Sequence, residues 1–179
     1  MNLKALRHVL EGLRIRERND LMLGRAHAIL CLRRDVIIHF VCTGNIYRSR
    51  LAEAYCASKC VPGIQTLSSG IGAGLNGDAP ISPFTADVLT RYGLVSYAAE
   101  HWQRTTAALV EVCDVLVFME LEHHRFCENW IDPNRQRIEV WGIEDVGPLP
   151  ASEIPGKAER TFQIIRQRVD ALLAALAAS

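Results

Sequence analysis

The sequence contains no run of about eighteen apolar residues, the length that crosses a membrane, and no apolar signal core followed by a small-residue cleavage site. We therefore expect a cytoplasmic protein without a membrane partner. Its six cysteines include no C-x-x-C pair of the kind that binds zinc, so we expect reduced thiols instead of a disulfide framework. Internal repeats and low-complexity segments are also absent.

The chain also has no net charge, because twenty basic residues balance twenty acidic ones. The overall charge therefore gives no sign of a nucleic-acid partner. The balance hides an asymmetry, since residues 1–34 carry eight Lys and Arg against three acidic residues and show the apolar spacing of an amphipathic helix. We divide the chain into a basic helical N-terminal extension, residues 1–34, and one domain, residues 35–179, which is long enough to bury a sizeable core.

What the sequence does contain is an alternation of strand and helix patterns. Residues 36–41 form a continuous run rich in β-branched side chains, typical of a strand that is buried on both faces of a parallel sheet. A Gly-containing turn and a predicted helix over residues 48–60 follow it. Further strands are predicted at residues 64–67, 115–119 and 138–141, with helices between them. The pattern predicts a three-layer α/β/α fold with a four-stranded parallel sheet.

Two of the predicted helices carry clear boundary signals. Ser82 is placed to cap one helix, Pro83 suits its first turn and Gly93 suits its end. The last helix runs from about residue 157 to the end, and its apolar stripe consists of Phe162, Ile165, Val169, Leu172, Leu173 and Leu176. In parallel sheets of this kind, ligands bind at the carboxyl ends of the strands, where Cys42 lies.

The segment Cys42–Ser49, Cys-Thr-Gly-Asn-Ile-Tyr-Arg-Ser, follows the first strand and leads into the next helix. A cysteine and an arginine at this spacing can curl into a nest whose backbone N–H groups converge on one anion, and the helix N-terminus adds its positive end. Gly44 and Asn45 tolerate the left-handed backbone that such a nest requires. We expect the following residues to bind phosphate: Thr43, Gly44, Asn45, Ile46, Tyr47, Arg48 and Ser49.

The same segment carries a nucleophile. The positive field of the nest favours a thiolate at Cys42, which can attack phosphorus. The planar guanidinium of Arg48 can hold two equatorial oxygens, and Ser49 is placed to donate a hydrogen bond to the thiolate. The bare C-x5-R spacing arises often by chance, so the specificity comes from the strand before it, the helix after it, and the Gly and Asn inside it.

The run from Phe40 to Ala54 closely resembles the active-site segment of the low-molecular-weight protein tyrosine phosphatases. Weaker similarities lie in Ser68-Ser69-Gly70, in the histidine segment 101–104 and in the strand segment 113–119. The resemblance therefore extends over nearly all of residues 36–176, and its specific part is the loop motif.

The resemblance implies a phosphocysteine intermediate on Cys42, with no metal or organic cofactor. It also implies that the substrate is a phosphorylated protein or a small phosphomonoester. The hydrogen-bonded support for the loop that it implies consists of Asn45, Ser49, Ser68 and His101.

In this family the general acid belongs to an Asp-Pro pair in the loop after the fourth strand. Asp145 is the aligned candidate here, but Val146 replaces the proline, and Glu144 beside it stays open as an alternative. The Asp-Pro pair that the chain does have, Asp132-Pro133, precedes the fourth strand, and we expect it to form only a turn.

Departures from the family concern the substrate. Members usually carry one aromatic residue after the acid and another after the second strand, whereas this chain has Gly147-Pro148 and no aromatic residue in 71–77. Tyrosine specificity is therefore open, and Tyr47 is either an aromatic wall or a packing residue. The phosphoarginine phosphatases are similar too, but they usually have threonine at the position of Ile46, whose apolar side chain favours an aryl phosphate.

The main enzymatic alternative is a thioredoxin-coupled arsenate reductase, which has a very similar loop. Its chemistry needs two further thiols close together after the third strand. Here Cys113 precedes that strand and Cys127 follows it on a helix. Cys56 and Cys60, four residues apart on the helix after the loop, are expected to pack in preference to reacting.

A non-enzymatic alternative gives the extension the main role. Its arginines could bind an acidic partner, a phosphopeptide or nucleic acid, with the domain only weakly catalytic. We favour an extension that covers part of the domain or joins two copies in a homodimer, because basic helical faces are usually just solvated. Deleting residues 1–34 distinguishes these two roles of the extension. Lost folding or activity indicates that the extension packs on the domain, and a lost partner with intact activity indicates that it recruits this partner.

Overall fold

A computed structural model of the chain describes residues 35–75 and 79–178. The expectations for residues 1–34, which are the basic helical extension and its homodimer contact, lie outside these residues. None of the helices in the two ranges is long and apolar enough to cross a membrane.

The described residues form four strands and five α-helices. In chain order these are β1 (Val36–Cys42), α1 (Arg48–Ser58), β2 (Ile64–Gly70), α2 (Pro83–Arg91), α3 (Ala107–Val112), β3 (Val115–Phe118), α4 (Leu121–Cys127), β4 (Arg137–Val140) and α5 (Ile154–Ala177). Short 3-10 turns at Val95–Tyr97 and Glu128–Trp130 complete the secondary structure.

The four strands form one parallel sheet in the order β2-β1-β3-β4. The strand β1, buried along most of its length, lies in the middle and pairs with β2 from Val36 and Ile64 to Cys42 and Gly70. On its other side it pairs with β3. The carboxyl ends of β1 and β2 therefore meet at one edge of the sheet, with Cys42 directly beside Gly70.

Helices cover both faces of the sheet. On one face α1, α2 and α5 enclose a core that includes Phe40, Leu51 and Phe162. On the other face α3 and α4 pack on a smaller cluster that includes Val41 and Phe118. The predicted three-layer α/β/α fold with a four-stranded parallel sheet is confirmed.

The boundary signals of the helices are confirmed as well. Ser82 caps α2 by accepting a hydrogen bond from the Thr85 backbone N–H, Pro83 is its first residue, and Gly93 follows its end with a φ of 66°. The predicted stripe of α5 faces the core, where Phe162, Ile165, Val169 and Leu172 are buried and Leu173 and Leu176 are partly buried.

Three local predictions are wrong. Helix α1 ends at Ser58, so Cys60 lies in the turn beyond it, with a φ of 48° and an exposed side chain. Strand β2 continues to Gly70, because the backbone of its polar last residues pairs with β1. Helix α3 is missing from the prediction because its six residues are too few to show a helical period.

Candidate active site

The loop between β1 and α1 wraps around the sulfur of Cys42. The backbone N–H of Asn45 points at the Cys42 Sγ at 3.3 Å, and the Ser49 Oγ lies 2.9 Å from the same sulfur. Asn45 adopts a φ of 55°, the left-handed conformation expected of a nest. The N–H groups of Thr43, Gly44, Ile46 and Tyr47 donate to no acceptor within the described part of the chain, which leaves them for an anion.

Gly70 at the end of β2 lies against this loop. The backbone beyond it holds the loop through the bonds from the Ile71 N–H to the Cys42 carbonyl, 3.0 Å, and from the Gly72 N–H to the Thr43 carbonyl, 2.9 Å. A Cβ on Gly70 would lie 2.6 Å from the Thr43 carbonyl oxygen and 2.7 Å from the Asn45 backbone nitrogen. Only glycine fits there, so the second strand shapes the loop.

Arg48 is buried at the base of the loop with 1% of its surface exposed. Its Nη2 donates to the Asp145 Oδ2 at 2.7 Å, and its Nη1 donates to the Ile143 carbonyl at 2.8 Å and to a carboxylate oxygen of Glu120. Burial alone would lower the pKa of Arg48, but the negative charges of Cys42, Asp145 and Glu120 outweigh it and raise the pKa above its ordinary value. Arg48 is therefore a fixed cation at the site.

His123 holds Thr43 from the side of α4. Its Nδ1 accepts the Glu120 backbone N–H at 3.0 Å, so the proton of the neutral ring lies on Nε2, which donates to the Thr43 Oγ1 at 3.0 Å. Burial and the nearby Arg48 lower the pKa of His123 to about 4. The ring is neutral at physiological pH and acts as a structural donor.

One cluster of side chains near the loop contains potential metal ligands, but these groups already have other partners. The ligand atoms of Glu120, Glu122 and His123 lie within 4.8 Å of one another. However, both nitrogens of His123 already form hydrogen bonds, and the Glu120 carboxylate is paired with Arg48. These groups serve the loop, and the donor set does not fit a cation.

Behind the loop, three of the four predicted support residues come together. The Asn45 Nδ2 donates to the Ser49 Oγ at 2.9 Å and to the Ser68 Oγ at 2.7 Å. Ser68 in turn donates to the Glu53 Oε2 at 2.7 Å, and the Asn45 Oδ1 accepts the Gln103 backbone N–H at 2.7 Å. Asn45 is thus held by β2, by α1 and by the segment before α3.

The structure does not bring the side chain of His101, the fourth predicted member, into this network. His101 is exposed, and its contribution is its backbone carbonyl, which accepts a hydrogen bond from the Arg50 Nη1 at 2.9 Å. Glu53, which sequence analysis missed, is the partner of Ser68 instead. Its position four residues after Ser49 on α1 was visible in the sequence, but nothing local showed that it pairs across to β2.

Asp145 and Glu144 point in different directions. Asp145 lines the same cavity as Cys42 and accepts hydrogen bonds from Arg48 and from the Val146 backbone N–H. The Glu144 side chain is 81% exposed and faces Lys157 on α5, with 3.6 Å between the charged atoms. The geometry therefore favours Asp145 as the acid.

The pair Asp132-Pro133 lies in a turn before β4, as expected. The Asn134 backbone N–H donates to the Asp132 Oδ1 at 3.0 Å, and the Gln136 backbone N–H donates to the Asp132 carbonyl at 2.9 Å. Asp132 is occupied by this turn and does not line the cavity that contains Cys42.

The cavity above Cys42 has a volume of about 340 Å³ and apolar walls. Ile46, Phe84 and Val146 supply these walls. Tyr47 also lines the cavity, but it is only 3% exposed, and its ring packs edge-on against Phe84 with 4.9 Å between ring centroids. Sequence analysis missed Phe84, although Ser82-Pro83 already placed it in the first turn of α2.

The other described cysteines are poorly placed for a thiol relay. Cys113 and Cys127 are buried on the opposite face of the sheet from Cys42. Burial raises the pKa of Cys127, and likewise that of Cys56, to about 12. This arrangement gives no support to a thioredoxin-coupled reductase.

Comparison with known proteins agrees with this geometry. The model of the family "low molecular weight phosphotyrosine protein phosphatase" matches residues 37–179. A search of curated proteins gives no match. Among solved structures, YfkJ from Bacillus subtilis is 25% identical with a TM-score of 0.62, and the alignment covers 80% of this chain and 95% of YfkJ.

Two further structures are similar in fold. Wzb from Vibrio vulnificus, in complex with benzylphosphonate, is 21% identical with a TM-score of 0.62, covering 76% of this chain and 96% of Wzb. The YwlE arginine phosphatase from Geobacillus stearothermophilus is 20% identical with a TM-score of 0.63, covering 78% of this chain and 94% of that one. The match of the family model over residues 37–179 shows that this chain belongs to the low molecular weight phosphotyrosine protein phosphatase family and is a cysteine-based phosphatase.

Proposed function

We propose that this chain hydrolyses aryl phosphomonoesters, with phosphotyrosine in proteins as the substrate, through a phosphocysteine intermediate on Cys42. The observation that carries the proposal is the loop itself. The Cys42 sulfur lies at its centre, with the Asn45 N–H and the Ser49 Oγ next to it and N–H groups around it that meet no acceptor in residues 35–75 and 79–178. Such a site stabilises both a thiolate and a phosphoryl group.

In the first step the Cys42 thiolate attacks phosphorus, so the S–P bond forms as the bond to the leaving oxygen breaks. Arg48 and the loop N–H groups hold the three equatorial oxygens. Arg48 now binds Asp145, and an incoming phosphoryl group competes for the same guanidinium. Asp145, released from Arg48, takes up a proton from solvent and gives it to the leaving oxygen, which leaves Asp145 ionised again.

In the second step water replaces the leaving group. Asp145, now ionised, takes a proton from this water as the water attacks the phosphocysteine and the S–P bond breaks. The products are inorganic phosphate and the free Cys42 thiolate. The proposed cycle needs no metal and no organic cofactor. We expect the enzyme to act in the cytoplasm.

The cavity walls support an aryl substrate. Ile46, Phe84 and Val146 offer apolar surface to a ring attached to the phosphate. The structure of Wzb, which shares the fold, contains benzylphosphonate, a phosphonate that carries a ring. YwlE, an arginine phosphatase, shares the fold equally, so phosphoarginine is the second candidate substrate.

Turnover by purified protein tests the proposal. We expect hydrolysis of para-nitrophenyl phosphate and of a phosphotyrosine peptide with chelator present, and much slower hydrolysis of phosphoarginine. Cys42→Ser abolishes turnover, whereas Cys60→Ser, a matched change at an exposed cysteine outside the cavity, preserves it. Faster hydrolysis of phosphoarginine than of the phosphotyrosine peptide would contradict the proposed substrate. Turnover by Cys42→Ser would contradict the proposed mechanism.

A further inference from the structure

Arg50 is a second buried arginine close to the loop, and the mechanism above gives it no task. It lies on α1 two residues after Arg48 and is 1% exposed. Taking a guanidinium out of water is costly unless its charge and its donors find partners. The partners of Arg50 therefore indicate what it does.

These partners join two parts of the fold. The Arg50 Nη1 donates to the His101 carbonyl at 2.9 Å, and the Nη2 donates to the Ala99 carbonyl. The Nη1 also lies 3.7 Å from the Glu53 Oε2, one turn along α1. Arg50 thus ties the segment before α3 to the buried carboxylate of Glu53.

Both of these parts lead to Asn45. Glu53 accepts from Ser68, and Ser68 accepts from the Asn45 Nδ2, with 2.7 Å in each bond. Two residues after His101, the Gln103 N–H donates to the Asn45 Oδ1 at 2.7 Å. Arg50 therefore lies where the two hydrogen-bond routes that hold the Asn45 amide begin.

We propose that Arg50 is a positioning residue for the phosphate loop, which it orders by fixing both supports of the Asn45 side chain. Asn45 has the left-handed backbone of the loop, and its N–H points at the Cys42 sulfur. Order at Asn45 therefore sets the direction of the loop N–H groups. The inference deepens the proposed function and rests on it in one respect, that the loop binds a phosphoryl group.

A merely stabilising arginine is the competing explanation, and Glu53 allows the two to be separated. Glu53 is 8% exposed, and removal of Arg50 leaves its carboxylate buried without a cationic partner in the described part of the chain. Adding Glu53→Gln to Arg50→Met removes this unpaired charge while an amide oxygen stays available to Ser68. The double variant should regain stability, but the carbonyls of residues 99 and 101 still lack the hydrogen bonds from Arg50.

The experiment compares Arg50→Met, Arg50→Lys and Arg50→Met/Glu53→Gln with the wild type. The matched control is Arg137→Met, which removes an exposed arginine from the edge strand β4. Readouts are kcat and KM for para-nitrophenyl phosphate, the thermal midpoint Tm, and amide hydrogen exchange of residues 42–49, 99–104 and 154–177.

We expect Arg50→Met to lower kcat about tenfold or more, with a smaller change in KM, and to speed exchange in residues 42–49 and 99–104 by about tenfold. The double variant recovers Tm but not kcat. Arg50→Lys, which keeps the charge but loses the fork, recovers part of kcat. Arg137→Met matches the wild type.

Unchanged loop exchange in Arg50→Met would overturn the inference. So would an acceleration that spreads equally into residues 154–177, or a double variant that regains both Tm and kcat, because each indicates a purely stabilising role. Failure of the wild type to hydrolyse any phosphate ester would be a failure of the proposed function. The exchange data would then still decide the role of Arg50.

Discussion

Arg48 has two carboxylate partners, Asp145 and Glu120, in a site built for an anion. The two differ in exposure: the side chain of Asp145 is 49% exposed and that of Glu120 is 33% exposed. Asp145 lies two residues before Gly147-Pro148 in a segment without helix or strand, so it can leave Arg48 more easily. In the proposed mechanism, competition for Arg48 couples the arrival of a phosphoryl group to the release of Asp145.

Asp145→Asn tests whether Asp145 is the general acid. The amide cannot deliver a proton, so we expect kcat for phosphotyrosine peptide to fall by about 10²-fold or more. The control is Glu144→Gln, which changes a neighbouring carboxylate that faces Lys157. A large loss in Glu144→Gln with normal turnover in Asp145→Asn would reverse the assignment.

Phe84→Ala tests the aromatic wall. Removing the ring from the cavity should raise KM for a phosphotyrosine peptide about fivefold, because ring contacts contribute about 1 kcal/mol, and should leave KM for a small alkyl phosphate unchanged. Phe126→Ala serves as the control, since Phe126 is 46% exposed on α4 and does not line this cavity. An equal rise for both substrates would contradict a ring-binding role.

At the scale of elements, the end of β2 shapes the loop after β1. This is why Gly70→Ala is informative: its Cβ would lie 2.6 Å from the Thr43 carbonyl oxygen, and backbone must shift to make room. We expect turnover to fall by about 10²-fold, with phosphate binding lost in parallel. Gly156→Ala near the start of α5 is the control and should keep full activity, because its Cβ meets only the end of the Arg160 side chain. Normal turnover in Gly70→Ala would show that the loop tolerates this displacement.

Elements also show what the sequence could predict. The strand β1, the Cys42–Ser49 loop and the stripe of α5 are local patterns, and all three are found in the structure. The role of Glu53 was not predictable, because its contact with Ser68 crosses from α1 to β2. Phe84 was missed for the same reason, because long-range contacts bring α2 to the loop: the Ser82 backbone N–H bonds to the Ile46 carbonyl, and the Phe84 ring packs on Tyr47.

At the scale of the whole molecule, two buried histidines make the fold sensitive to acid. His39 in the middle of β1 is 0% exposed, and burial lowers its pKa to about 3. The pKa of His123 is lowered to about 4. Both rings stay neutral in the fold at pH values where the unfolded chain already takes up protons.

The resulting dependence on pH has a defined sign. The stabilising contribution of the two neutral histidines is complete above about pH 6.5 and is lost as the pH drops toward 4, by about 3 kcal/mol for each histidine over this range. Glu53 acts in the opposite direction, because burial raises its pKa and its contribution is lost as the pH rises. Urea unfolding from pH 7.5 to 4.5 checks this, and in His39→Gln/His123→Gln the decline should be shallower. An equally steep decline in that variant would assign the acid sensitivity to other groups.

The central claim is that the phosphoryl group passes through the sulfur of Cys42. It is tested most directly by quenching the enzyme with alkali, in which a phosphocysteine is stable, during turnover of para-nitrophenyl phosphate and analysing its peptides by mass spectrometry. The account predicts one added phosphoryl group on the peptide that contains Cys42, and none on that peptide when the substrate is left out. Rapid turnover with no phosphoryl group on this peptide, or with the group on another residue, would contradict it.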